Sequence, residues 1–440
     1  MALAEASAAA PSERAERDCR VAVSGAGAVS GFGWGVEALW QGLLAGATAV
    51  RPFSRFDHRR HRTHLAAEVP PPAAAPASDR PSDRPRGAGG SAPGRRSSRQ
   101  LSLADGFALA AAAEALAAAG LGGSLATLPE GAAGVFFGSS TGGMWESEGF
   151  LADLFGGRRA TLHALASQQV NGPGDAVARR CGITGPVLTV SSACASGALA
   201  IAAARAAVRD GEVEVALAGG ADSLCQLTYA GFNSLRSVDE VPCRPFRAGR
   251  AGMSVGEGAA VLVLEPLARV LARGAAPLAE LVGTGGACDA FHMTAPEPAG
   301  RGAAAAIAAA LADAGLGPEA IDFVNAHATG TTLNDAAEWQ ALRRIFGERA
   351  ERLPVTATKA GVGHLLGCSG AIEALVTVLS LARGELHPVP ASAEPLDQAC
   401  PAALVTGRPL ALPAARTALS TSLAFGGSNA ALIFRRWTGA

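Results

Sequence analysis

Apolar residues along this chain fall into two textures. Short runs enriched in β-branched residues, at 21–28, 134–138, 186–191 and 213–218 and again at 281–285, 321–326, 354–358, 417–423 and 429–435, predict strands. Longer Ala/Leu-rich stretches, among them 194–209, 302–314, 335–346 and 369–383, predict helices between them. The order strand, helix, strand recurs in both halves, which predicts parallel or mixed sheets covered by helices and joined by right-handed crossovers. With 440 residues the chain exceeds the length at which a single core stops growing. Two similar halves are therefore expected, 21–264 and 265–440, with strand ends and a shared site at their junction.

Composition narrows the classes of function. Hydrophobic residues make up 49% of the chain, charged residues 17%, and the net charge is -1, so nothing points to a nucleic-acid partner. Residues 1–20 carry Glu5, Glu13, Glu16 and Asp18 without an apolar stretch, which predicts a disordered extension rather than a signal peptide. The segment 70–99 is dominated by Pro, Ala, Ser, Gly and Arg and predicts a low-complexity insertion at the surface. The Ala-rich run at 107–121 is broken by Glu114 and Gly120 and falls short of a membrane span. The eight cysteines form no CxxC pairs and read as reduced thiols in a cytoplasmic protein.

Three segments carry chemistry. In Val190-Ser191-Ser192-Ala193-Cys194-Ala195-Ser196-Gly197 a strand runs into an Ala-rich helix with a cysteine at the turn. A thiol there faces unpaired N–H groups and the positive end of the helix dipole, which favours the thiolate, and the Cys194 N–H is placed to stabilise an oxyanion. A buried structural cysteine fits the same small-residue turn. His327 follows a strand in Val324-Asn325-Ala326-His327-Ala328-Thr329-Gly330-Thr331, and His364 lies in Lys359-Ala360-Gly361-Val362-Gly363-His364, ahead of Ser369, Gly370 and Glu373. Either imidazole alone is equally a satisfied core or capping group. Lys359, however, is the only lysine in the chain; every other basic side chain is Arg or His. A surface position accepts Arg readily, so a lone Lys marks a site that needs a compact ammonium.

Together these residues resemble the elongating, decarboxylating β-ketoacyl-acyl carrier protein synthases of the thiolase superfamily. The resemblance also rests on Phe136-Phe137-Gly138-Ser139-Ser140-Thr141-Gly142-Gly143, Ala218-Gly219-Gly220-Ala221-Asp222, Arg244-Pro245-Phe246, Gly256-Glu257-Gly258, the run Asp289 to Pro296, and Phe425-Gly426-Gly427-Ser428-Asn429. It implies a thiolase-like α/β fold of two similar βαβ-type halves in a layered α-β-α-β-α core. It implies Cys194 as acyl acceptor, His327 and His364 as the pair that promotes decarboxylation, and Lys359 and Glu373 as supporting charges. Thr329 and Thr331 match hydroxyls that contact the phosphopantetheine arm, and Phe425 matches a gating aromatic whose N–H is the second oxyanion donor. No cofactor or metal is implied: phosphopantetheine arrives on the acyl carrier protein with the acyl and malonyl thioesters. The implied assembly is a homodimer, or a heterodimer with a related synthase; the alternative role is a non-catalytic partner that sets chain length. The sequence departs from the family pattern at Arg247, where Asp is common, and at Ala251, Met253, Ala328, Leu423 and Ser428. Trp145 is placed either to narrow an acyl tunnel or to pack at an interface.

Overall fold

A computed structural model describes residues 20–72, 101–122, 125 and 128–439. The predicted extension, apart from Arg20, and the insertion beyond residue 72 lie outside the described residues. The first half contributes strands β1 (Val21–Ser30), β2 (Ala133–Gly138), β3 (Val187–Val190), β4 (Val215–Asp222) and β5 (Gly258–Pro266). The second contributes β6 (Ala279–Cys288), β7 (Phe323–Asn325), β8 (Pro354–Thr356), the two-residue β9 (Ala403–Leu404), β10 (Thr417–Leu423) and β11 (Ser428–Arg436).

These strands form one sheet in the order β9-β8-β7-β10-β11-β6-β1-β5-β4-β2-β3. Apart from β9, each half repeats one arrangement: its third strand, second, fourth, fifth and first, with the two first strands antiparallel at the centre through Ala22↔Glu280 and Val23↔Ala279. The second strand of each half runs parallel to its third and fourth, and the fifth runs antiparallel to its neighbours. The hydrophobic pattern missed the two-residue β9 and also β5, whose run Gly-Ala-Ala-Val-Leu-Val-Leu-Glu-Pro is buried nearly throughout and shows no alternation.

Six helices matter for the site: α1 (Leu103–Ala118), α2 (Gly172–Cys181), α3 (Ser196–Arg209), α4 (Arg301–Ala314), α5 (Thr332–Phe346) and α6 (Ser369–Arg383). Helices α3 and α6 pack on each other and each touches strands of both halves, while α1 covers β1 and β5 and α4 covers β6 and β11. The central pair is therefore buried against the strands of both halves, and α6 is inaccessible from Ser369 to Leu381. Among the described residues, Leu366–Arg383 is the one segment long and apolar enough to cross a membrane, and 89% of it is buried in this core. The helices meet at Gly197, where a Cβ would lie 2.8 Å from the Ala371 amide and 3.0 Å from the Gly367 carbonyl. Only hydrogen at that position lets the start of α3 close against α6.

Candidate active site

Four turns at the carboxyl ends of parallel strands converge: Cys194 follows β3, His327 follows β7, His364 follows β8 and Phe425 follows β10. Such a crevice is where open α/β sheets place ligands. Cys194 stands in a tight turn with Ala193 in the left-handed region at φ 45. The Ser196 hydroxyl holds that turn, donating to the Ala193 carbonyl at 2.6 Å and accepting from the Ser192 amide at 2.8 Å.

The expected thiolate is not what the surroundings favour. Helix α3 begins only at Ser196, so Cys194 lies just outside its first turn, and burial pushes the thiol up to about 11 against the pull of the Lys359 charge and the N–H groups of Phe425 and Cys194. Desolvation wins because the charged form loses water on most sides. The thiol therefore rests protonated, and its alkylation by iodoacetamide should climb steadily from pH 7 to pH 10. A rate that levels off near pH 7 would contradict this.

His327 and His364 lie edge to face with ring centroids 5.8 Å apart. Their nearest ligand atoms and the Cys194 sulfur are all within 4.8 Å of one another. The tautomer of each ring follows from its partner. Lys359 Nζ donates to His327 Nδ1 at 2.9 Å, and the Leu366 amide donates to His364 Nδ1 at 3.0 Å. An ammonium and an amide offer only protons, so both Nδ1 atoms accept and both rings carry hydrogen on Nε2. Burial, reinforced by Lys359, holds His327 well below the usual imidazole range and takes His364 down to about 3. Two neutral Nε2–H donors result. The convergence of one sulfur and two imidazoles does not suit a metal, because each ring's free lone pair is already used at Nδ1 and each Nε2 presents a proton.

Lys359 is 1% exposed and uses all three of its protons: on His327 Nδ1, on the His327 carbonyl at 2.7 Å and on Glu373 Oε1. A guanidinium does not fit this three-way junction, which explains the lone lysine. Burial raises the Glu373 carboxyl to about 7, opposed by Lys359. Pattern reading missed Glu338, which is 1% exposed and accepts from the amides of His327 and Ala328, each at 2.7 Å, and from the Thr421 hydroxyl at 2.7 Å. It holds Ala328 at φ 41, in the left-handed region. Its signal was faint: a carboxylate nearly two turns into α5. Asp222 is a second such anchor, joining the Ser139, Ser140 and Thr141 turn to the Gly367 amide of the other half.

A cavity of about 290 Å³ runs outward from Cys194 and both imidazoles, past Thr329, Thr331, Asn334 and Phe425, to a mouth bearing Arg236 and Leu333. The Thr329 and Thr331 hydroxyls are 2.9 Å apart, and Thr331 also caps α5 by accepting from the Asn334 amide. Phe425 stands 6.0 Å from Phe232, ahead of two positive-φ glycines, Gly426 and Gly427. Trp145 packs on Phe56 at 6.0 Å, beside a cluster that holds Tyr229 and Leu366. Of the departures, Ala251, Met253 and Leu423 line the cavity, and Ser428 bonds Ser192 through their hydroxyls at 2.8 Å, tying the Phe425 turn to the Cys194 turn.

A cysteine and two neutral imidazoles at the strand ends of a duplicated thiolase-like core define a condensing enzyme. The chain belongs to the β-ketoacyl synthase family: the family's N-terminal domain matches residues 18–269 and its C-terminal domain residues 278–392. It is 35% identical over 428 residues to 3-oxoacyl-[acyl-carrier-protein] synthase 2 of Synechocystis sp., covering 95% of this chain and 98% of that protein. Among solved structures it is similar to the ishigamide ketosynthase/chain length factor, with TM-score 0.84, 32% identity and coverage of 95% and 99%. It is also similar to a β-ketoacyl synthase from Burkholderia phymatum STM815, with TM-score 0.83, 36% identity and coverage of 95% and 100%.

Proposed function

We propose that this chain joins a Cys194-bound acyl group to malonyl-acyl carrier protein by decarboxylative Claisen condensation, yielding 3-oxoacyl-acyl carrier protein. The observation that carries the reading is the pair of imidazoles, each accepting at Nδ1 and so carrying its proton on Nε2, with ring nitrogens within 4.8 Å of the Cys194 sulfur. In the first half-reaction the sulfur attacks an acyl thioester, whose carbonyl oxygen is held by the N–H groups of Cys194 and Phe425, and the carrier's phosphopantetheine thiol leaves with the thiol proton. In the second, the malonyl thioester oxygen accepts from His327 and His364. Carbon dioxide departs, and the electron pair it leaves forms an enolate that the two donors stabilise. The enolate carbon attacks the acyl carbon and the Cys194 sulfur is expelled as a thiolate, so the two-carbon-longer product forms, and the thiolate takes up one proton from solvent to regenerate the thiol. Thr329 and Thr331 contact the phosphopantetheine arm and Phe425 gates it. No resident cofactor takes part.

The assembly we propose is a dimer, of two identical chains or of this chain with a related synthase. Strand β3 ends the sheet with Val187 and Leu188 both exposed, although neighbouring strand residues point to opposite faces. An uncovered apolar edge of this kind needs a partner, and Phe155, 84% exposed, extends the same requirement. The seven cysteines among the described residues are all free, which supports work in the reducing cytoplasm.

The test is to incubate the purified chain with acyl-acyl carrier proteins of graded length and with malonyl-acyl carrier protein, following intact mass, carbon dioxide release and mass in solution. The expected result is acylation at Cys194, release of carbon dioxide and a product longer by two carbons. A chain that is neither acylated nor decarboxylates malonyl thioester until a related synthase is added is instead the non-catalytic, chain-length-setting partner.

A further inference from the structure

The arm-lining turn at 329–334 is gripped from beneath by Arg250, a side chain 4% exposed. Its Nε donates to the Thr331 carbonyl at 3.4 Å and its Nη2 to the Thr332 carbonyl at 3.3 Å. Its Nη1 donates to the Arg247 carbonyl at 2.9 Å and to Asp397 Oδ2 at 2.5 Å. The nearest other carboxylate, Asp335, is 3.7 Å away and already accepts from the amides of Phe246 and Gly330. Where the resemblance led to Asp at 247 this chain has Arg, and position 251 is Ala. The strong charge contact to Arg250 comes instead from a loop about 150 residues further along the chain. That loop is clamped in turn: the Asp397 amide donates to the Phe246 carbonyl at 2.9 Å, and Glu394 pairs with Arg244 at 3.5 Å.

We propose that Asp397 is a positioning residue for the substrate arm. By fixing Arg250, it sets the carbonyls of Thr331 and Thr332 and hence the hydroxyl-bearing wall along which the phosphopantetheine thioester lies. Asp397 touches no reacting atom, is itself partly exposed, and acts only through the guanidinium. Charge-assisted contacts of this geometry are stronger than neutral ones, so an amide at 397 keeps the shape and weakens the hold. The inference rests on the arm-binding role assigned to Thr329 and Thr331.

The experiment compares the full chain with Asp397→Asn and Asp397→Glu. For Asp397→Asn, KM for the acyl-carrier-protein thioester is expected to rise about five- to tenfold, with kcat and the rate of Cys194 alkylation by iodoacetamide within about twofold of the parent. Asp397→Glu is expected to recover most of the loss. Amide hydrogen exchange on the same proteins supplies a reading independent of turnover: residues 329–335 should exchange faster in Asp397→Asn while α6 and β10 do not change. An unchanged KM together with unchanged exchange at 329–335 overturns the inference. So does a parallel fall in kcat, alkylation and melting temperature, which marks a general structural role. Failure of the parent chain to become acylated counts against the proposed reaction, and the exchange comparison still decides the role of Asp397.

Discussion

Cys194→Ala is expected to abolish acylation and to lower condensation by three or more orders of magnitude, about 4 kcal/mol or more of transition-state stabilisation. The same variant should still release carbon dioxide from malonyl-acyl carrier protein. That split follows from the geometry. In the proposed reaction the oxygen of the malonyl thioester accepts from the Nε2–H groups of His327 and His364, whose orientation depends on Lys359 and the Leu366 amide and on nothing that the sulfur supplies. Product analysis by mass spectrometry and carbon dioxide release read the two halves separately. Condensation surviving in Cys194→Ala would remove the covalent intermediate from the mechanism. Loss of carbon dioxide release along with condensation would mean that the imidazoles need the thiol to function.

Lys359→Ala is expected to produce the largest combined loss. Removing one partner of a buried ion pair costs about 3–5 kcal/mol, because the other is left without compensation. Here that other is Glu373, fully buried beside it. His327 Nδ1 also loses the donor that keeps its proton on Nε2, so carbon dioxide release should fall about a hundredfold or more. The pH dependence has a definite sign. In the parent the Glu373 carboxyl stands at about 7 against an ordinary 4.5, and without Lys359 it moves higher. Between those values the folded state binds more protons than the unfolded, so this group's contribution to stability declines as pH rises. Lys359→Ala should therefore be closest to the parent near pH 5 and lose further ground above pH 7, measured by denaturant unfolding. Adding Glu373→Gln should restore much of the stability and none of the carbon dioxide release, because a neutral amide removes the stranded charge and leaves the tautomer undirected. Recovery of activity in the double variant would show that the lysine serves the fold alone.

Much of the strand and helix order was legible because the core elements are long and their composition is distinct. The failures are informative. Strand β5 escaped because a strand buried on both faces has no alternation to read. Strand β4 was expected to stop at 218 but runs to Asp222, through Gly219, where a Cβ would lie 1.9 Å from the Ala260 carbonyl. A glycine that normally argues against a strand is there demanded by the neighbouring backbone. Glu338 was invisible for a similar reason: a carboxylate in an amphipathic helix reads as solvent-facing until the fold turns it onto the His327 amide.

The amino-acid sequence by itself determined the inventory of chemistry. A cysteine in a small-residue turn, two histidines after strands and a solitary lysine are legible because reactivity belongs to residue type, and the turn around each is built from near neighbours. Only the tertiary structure decided the state of those groups. The tautomer of His327 depends on a lysine 32 residues away, and that of His364 on where the Leu366 amide is held. The protonation of Cys194 depends on how much water the assembled halves exclude. Proton position and charge are fixed by desolvation and by hydrogen-bond partners, and both come from parts of the chain that meet only on folding.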